Sequence, residues 1–132
     1  MEEALIARLL SYGPTALVGQ RINWLVRPEA EGLPAITAQV TDASTEYNHG
    51  GRSDLQYPHV QFDCWGKTYS DAKRVSRLLC FELEQRRDTP SVEFFEGIEI
   101  RNTDMPTETL PGGTKVFRVL LEYLLPHRMK GA

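Results

Sequence analysis

Residues Tyr57 to Leu83, YPHVQFDCWGKTYSDAKRVSRLLCFEL, constrain the fold more than any other stretch. Val60, Phe62 and Cys64 fall on one face of a period-two pattern, and Gln61, Asp63 and Trp65 on the other. That alternation predicts a strand over Tyr57 to Trp65. Gly66 permits a sharp turn. Thr68 can then cap a helix, with Asp71 three residues on in capping-box spacing. Ala72, Val75, Leu79 and Leu83 recur at helical spacing, which predicts a long amphipathic helix from Thr68 to about Arg87. A strand that turns once into a helix covering its apolar face is the seed of a two-layer domain.

The flanking segments extend this plan. Residues 2–11 read as a short helix with Leu5, Ile6, Leu9 and Leu10 as its apolar stripe and Glu2 and Glu3 at its N-terminus. Arg21 to Val26 reads as a short strand. Ala35 to Asp42 alternates Ile36, Ala38 and Val40 against Thr37, Gln39 and Thr41, which suits a sheet with one covered and one wetter face. Ala43 to Gln56 has no periodicity and is rich in turn formers. A connection of that length inside a compact domain is often functional. As an extended hairpin it would project roughly 20 Å, at about 3.3 Å per residue for each arm. Ser91 to Arg101 resumes an extended pattern, broken near Glu96-Gly97. Asn102 to Thr114 reads as a second polar loop. Lys115 to Leu125 reads as a strand with Phe117, Val119, Leu121 and Tyr123 on one face and Arg118 and Glu122 on the other. HRMKGA reads as a basic tail. The expected fold is α+β: a mostly antiparallel sheet of about four to five strands, with two helices packed on one face and residues 1–132 forming one domain.

The formal net charge is -3. Proteins that bind nucleic acid by neutralising phosphates normally carry a net basic surface, so composition argues against that class, leaving only a local patch. Two cysteines, Cys64 and Cys80, are too few for a disulfide framework and suit reduced thiols in a reducing cytosol. The sequence MEEALIARLL does not read as a secretory signal, because acidic residues stand where positive ones belong and Arg8 interrupts the apolar run. No run approaches the ~20 apolar residues that span a bilayer, so no membrane partner is expected.

A search for chemistry finds little. His49, His59 and His127 have no partners at metal-ligand spacing, so no metal is expected. Cys64 has Asp63 beside it, which raises rather than lowers a thiol pKa, and reads as a core residue. Gly13 to Gly19 misses phosphate-loop spacing, and Gln20 stands where lysine is required. No serine sits in a nucleophile elbow. Glu93, Glu96 and Glu99 read as solvent-facing charges, and Glu82 with Arg86 as ordinary i, i+4 helix support. No catalytic residue and no cofactor are expected. Lys73, Arg74 and Arg77 lie on the polar side of the long helix. They read either as a solvated face or as a basic patch that meets an acidic surface on another subunit. Trp65 either packs under the helix or helps to build an interface.

Four features carry a family resemblance. EEALIARLL leads to LVGQRI; an L-P pair precedes the strand LPAITAQV; the central block is VQFDCWGKTYSDAKRVSRLL; and FRVLLEYLL closes after a Gly-rich loop. Together they span most of the chain and resemble the tail-completion, or tail-terminator, proteins of tailed phages, with equivalents in prophages and gene transfer agents. The resemblance implies a virion protein that forms a ring, usually a hexamer, at the head-proximal end of the tail after assembly in the host cytoplasm. Its implied partners are copies of itself, the tail tube protein and the head–tail connector or stopper protein. DNA would pass through the lumen without specific binding, and six copies at -3 each would carry -18. The family motif defines no catalytic residues.

The residues fit that role through the two polar excursions, 43–56 and 102–114, which could reach neighbours. Tyr47 and Arg52, with Asn48 and His49 between them, are candidate interface residues, as are Lys73, Arg74 and Arg77. Alternative readings are another connector component (a stopper or adaptor), a small-ligand enzyme or binding domain with its pocket under 43–56, and a nucleic-acid module using the helix patch.

Overall fold

In the computed structural model the described residues are 1–13, 15–25, 32–42, 45–48 and 51–130, with backbone only for 15, 16, 45–48 and 51–54. The alternating segment becomes strand β5 (His59–Gly66), whose residues alternate between half-buried and buried. β5 pairs antiparallel with β2 (Ala35–Asp42) on one side and with β10 (Lys115–Leu124) on the other. Phe62 lies opposite Ala38 and Leu121, and Cys64 lies opposite Ile36 and Val119. Directly opposed residues share a face, so this register gathers them into one apolar layer. β1 (Ile22–Trp24) adds parallel to β2, β8 (Ile98–Asp104) adds antiparallel to β10, and β9 (Glu108–Thr109) pairs with the start of β10. The fold is α+β and mostly antiparallel, as the sequence predicts, with a main sheet in the order β1-β2-β5-β10-β8.

Helix α3 (Tyr69–Leu83) covers the apolar layer, and Ala72, Val75, Leu79 and Leu83 are fully buried in it. The Thr68 hydroxyl accepts from the Asp71 N–H at 3.1 Å, the cap that the spacing predicts. Gly66 is required by proximity: a Cβ there would lie 2.7 Å from the Ala72 nitrogen. The helix stops at Leu83, short of the expected Arg87. The Glu84 N–H caps the Cys80 carbonyl, and the Gly97 N–H takes the Leu83 carbonyl at 2.8 Å. Helix α1 (Glu2–Tyr12) buries Leu5 and Leu9, leaves Leu10 exposed, and leads through the short α2 (Thr15–Val18) to β1.

A second sheet was not foreseen. It has the order β3 (Thr45–Asn48), β4 (Gly51–Gln56), β11 (His127–Met129), β7 (Val92–Phe94), β6 (Arg87–Asp88). Three sequence expectations change with it. The aperiodic 43–56 segment contains the hairpin β3–β4. The HRM of the supposed tail is a strand between β4 and β7. The polar loop 102–114 is shortened by β8 and β9. β3, β9 and β11 are too short for periodicity to show, and β11 takes both of its partners from far away in sequence.

The charges read as solvent-facing are partly interior. Glu82 is 2% exposed and pairs with Arg8 and Arg87 instead of Arg86. Arg8 is 1% exposed; its Nε donates to Glu82 Oε2 at 2.8 Å and its Nη2 to the Glu82 and Gln85 carbonyls at 2.5 and 2.8 Å. Arg87 donates to both Glu82 oxygens, at 2.8 and 2.9 Å. Burial alone would push the Glu82 carboxyl up, but the hydrogen bonds from Arg87 and Arg8 outweigh it and hold it below the usual carboxylate range. Glu93 is held between Arg128, at 2.6 Å, and Arg86. His127 is buried; its Nδ1 donates to the Leu125 carbonyl at 3.1 Å, and its ring tilts against Phe94. Burial pushes its pKa down, against the pull of that carbonyl.

Two predictions follow from these buried groups. Glu82→Gln strands the Arg8 charge and costs about 3–5 kcal/mol, and adding Arg8→Met returns much of that loss; urea unfolding of the single and double variants checks both. The folded His127 resists protonation while the unfolded ring takes a proton near its ordinary 6.5. The unfolded state therefore binds more protons just below that pH, and stability falls as pH drops through it. His127→Phe flattens this part of the profile, measured as the urea midpoint between about pH 7.5 and about pH 5.

Candidate functional site

The hairpin and the basic helix face are held in different places. In the hairpin, Tyr47 lies opposite Arg52 and Asn48 opposite Gly51. Leu55 and Gln56 at its base pair with Arg128 and His127 of β11, which anchors the arm to the second sheet. His49 lies outside the described residues. Lys73, by contrast, sits over the far end of the main sheet. Its Nζ meets Asp104 Oδ1 of β8 at 2.7 Å, and the Tyr69 hydroxyl donates to Asp104 Oδ2 at 2.8 Å. The hydrogen bond from Lys73, then that from Tyr69, holds the Asp104 carboxyl below its usual range. An acidic partner for Lys73 therefore exists within the same chain, where it eases the like-charge spacing to Arg77. Arg74 and Arg77 are exposed on α3.

The main sheet carries a polar network on the face away from α3. Trp65 Nε1 donates to Thr37 Oγ1 at 3.1 Å, and the Arg118 guanidinium stacks over the Trp65 ring at 5.0 Å. Arg118 Nη1 lies 3.6 Å from Asp63 Oδ1, and Gln61 Nε2 donates to Asp63 Oδ2 at 3.2 Å. Burial pushes the Asp63 carboxyl up, against the hydrogen bond from Gln61 and the charge of Arg118. His59 Nδ1 lies 3.0 Å from Glu122 Oε2. The sequence shows the members of this face by alternation; only the β5–β10 register shows that Asp63 and Arg118 are neighbours. Trp65 is thus half-buried on the wetter face and does not lie under the helix.

The exposed large apolar side chains were missed as a group. Phe81 is 71% exposed on α3, Leu25 is 70% exposed just after β1, and Ile98 and Ile100 are 53% and 49% exposed on β8. Both isoleucines lie on the edge strand β8, where the register with β10 shifts at Ile100.

Three buried or half-buried side chains with acidic protons are held in their neutral forms. Burial pushes the Cys64 thiol well up and raises that of Cys80, whose neighbours Glu99 and Glu84 add to the effect. Burial likewise raises the Tyr123 hydroxyl, which donates to Glu84 at 2.8 Å. Among the described residues no group of three or more His, Cys, Asp or Glu side chains could hold a metal ion, and no helix is long and apolar enough to cross a membrane. A cleft of about 190 Å³, lined in part by Arg8, Ser11, Tyr12 and Asp88, lies between α1 and the β6–β7 turn, away from the hairpin. It is smaller than the roughly 300–1,000 Å³ of typical small-molecule sites.

No family model matches the chain, and no curated protein matches it. Among solved structures it is similar to a chain from the virion of a native gene transfer agent particle, with a TM-score of 0.61 and 13% identity, covering 96% of this chain and 92% of that one. At that identity the likeness shows a shared fold.

Deleting residues 45–54 keeps Leu55 and Gln56, the two β4 positions that pair with β11. The shortened chain is expected to keep its native circular dichroism and most of its stability, checked by urea unfolding.

Proposed function

We propose that this chain is a non-enzymatic structural protein of a virion or gene transfer agent particle. In this reading it forms a ring that terminates the tail tube and joins it to the head connector. One observation carries the reading: the fold likeness to a gene transfer agent virion chain runs nearly end to end on both sides. The sequence resemblance to tail-terminator proteins points the same way.

The surface supports the assignment. A ring subunit needs surfaces that bind copies of itself by rotation and others that bind a different protein above and below. The β3–β4 arm, the exposed Arg74 and Arg77, and the apolar residues at both ends of the main sheet supply several distinct surfaces. Thiols raised by burial and a shallow cleft give little support to the enzyme reading. The net charge of -3 suits a lumen through which DNA passes without adhering, since adhesion requires cationic groups.

Light scattering and native mass spectrometry of the purified chain are expected to show a closed oligomer, alone or on adding tail tube. Electron microscopy is expected to place it between tube and connector. A strictly monomeric chain under both conditions would reject the ring, and a ring found at the portal would favour a stopper or adaptor.

A further inference from the structure

On the ring reading above, the subunit-to-subunit contact remains to be located. The main sheet ends at β1 on one side and β8 on the other, so the domain has two unlike flanks. Each flank has a sheet layer and a helix layer.

The β8 flank exposes Ile98 and Ile100 among Glu99, Arg101 and Asn102 in its sheet layer, and Arg74 and Arg77 in its helix layer. Ile98 and Ile100 stand on the seven-residue edge strand. α3 runs beside that strand, as the Lys73–Asp104 pair and the 4.0 Å Cys80–Glu99 contact show. Arg77 lies one turn on from Lys73, on the exposed side of the helix.

The β1 flank is apolar below and acidic above. Leu25 follows β1 in the left-handed region, with φ of 66°, and its side chain is 70% exposed. α1 packs against β1 and α3. Arg8 points from α1 toward Glu82 of α3, so Glu3 and Leu10 lie roughly on the opposite side of α1, away from α3. Both are exposed.

We infer that these two flanks are the halves of one heterologous interface between copies of this chain. Ile98, Ile100 and Arg77 of one copy meet Leu25, Leu10 and Glu3 of the next. Apolar side chains meet in the sheet layer and opposite charges meet in the helix layer. The halves lie at opposite ends of the same sheet, so the contact is heterologous: it builds a ring where the rotation closes and an open filament where it does not. The charge match also explains why an exposed Arg77 follows Lys73 by one turn.

A charge swap tests the contact. Arg77→Glu and Glu3→Arg are each expected to lose the oligomer seen by native mass spectrometry, and the double variant to regain it. All the altered positions are exposed, and circular dichroism verifies the fold. In a Cys80→Ser background, Leu25→Cys chains mixed with Ile100→Cys chains are expected to form an inter-chain disulfide, and neither alone. A wild-type oligomer that survives both charge changes overturns this interface and leaves the ring reading standing. So does a disulfide formed by Ile100→Cys alone, which marks a two-fold contact. A wild-type chain that stays monomeric, even with tail tube, rejects the ring and this interface together.

Discussion

The carboxylate of Glu82 ties the structure together. It belongs to α3, the helix over the main sheet, and it accepts from Arg8 of α1 and from Arg87 of β6 in the second sheet. Three elements thus meet at one group. Taking a carboxylate and a guanidinium out of water is expensive, and the attraction offsets that cost only with good geometry and satisfied bonds. Here both carboxylate oxygens are used and Arg8 also reaches two backbone carbonyls, which leaves Arg8 Nη1 as the one nitrogen of that guanidinium with no hydrogen-bond partner among the described residues. Phe94 lies 5.1 Å from the Arg8 guanidinium, and Tyr12 lies 3.9 Å from that of Arg87. The directional bonds allow one arrangement of α1 against the second sheet, which apolar contacts alone specify less sharply.

The main sheet was legible because its strands are long enough for alternation to show. The faces of β2, β5 and β10 and the stripe of α3 all stand in the sequence. The second sheet was not legible. β6 has two residues, β7 and β11 three each, and their partners come from residues 51–56, 87–94 and 127–129. Arg8 and Glu82 misled for a related reason. Charged residues are rarely buried unless paired, and Arg8 and Glu82 stand 74 positions apart.

The candidate site was legible in parts. Residues 43–56 stood out by their turn formers, and within them Thr45–Asn48 and Gly51–Gln56 form paired strands. Arg74 and Arg77 are exposed, as a helical face of charge implies. Lys73 reads the same in sequence, yet its charge is taken up by Asp104, whose place beside α3 depends on the β8–β10 register. The apolar flanks were hidden because Ile98 and Ile100 look like core strand residues. Only their position at the end of the sheet makes them surface. The molecule therefore sets a polar sheet face, on which Asp63 Oδ1 and Arg118 Nε keep no hydrogen-bond partner among the described residues, between edges that expose Leu25, Ile98 and Ile100.

Strand β11 has a further consequence for timing. It separates β4 from β7 in the second sheet, yet it follows both in the chain by more than thirty positions. During synthesis the β3–β4 arm therefore emerges long before its sheet partner exists. Pairings between distant residues form slowly because loop closure must come first. The arm therefore takes its place in the second sheet only after residues 127–129 have emerged and docked.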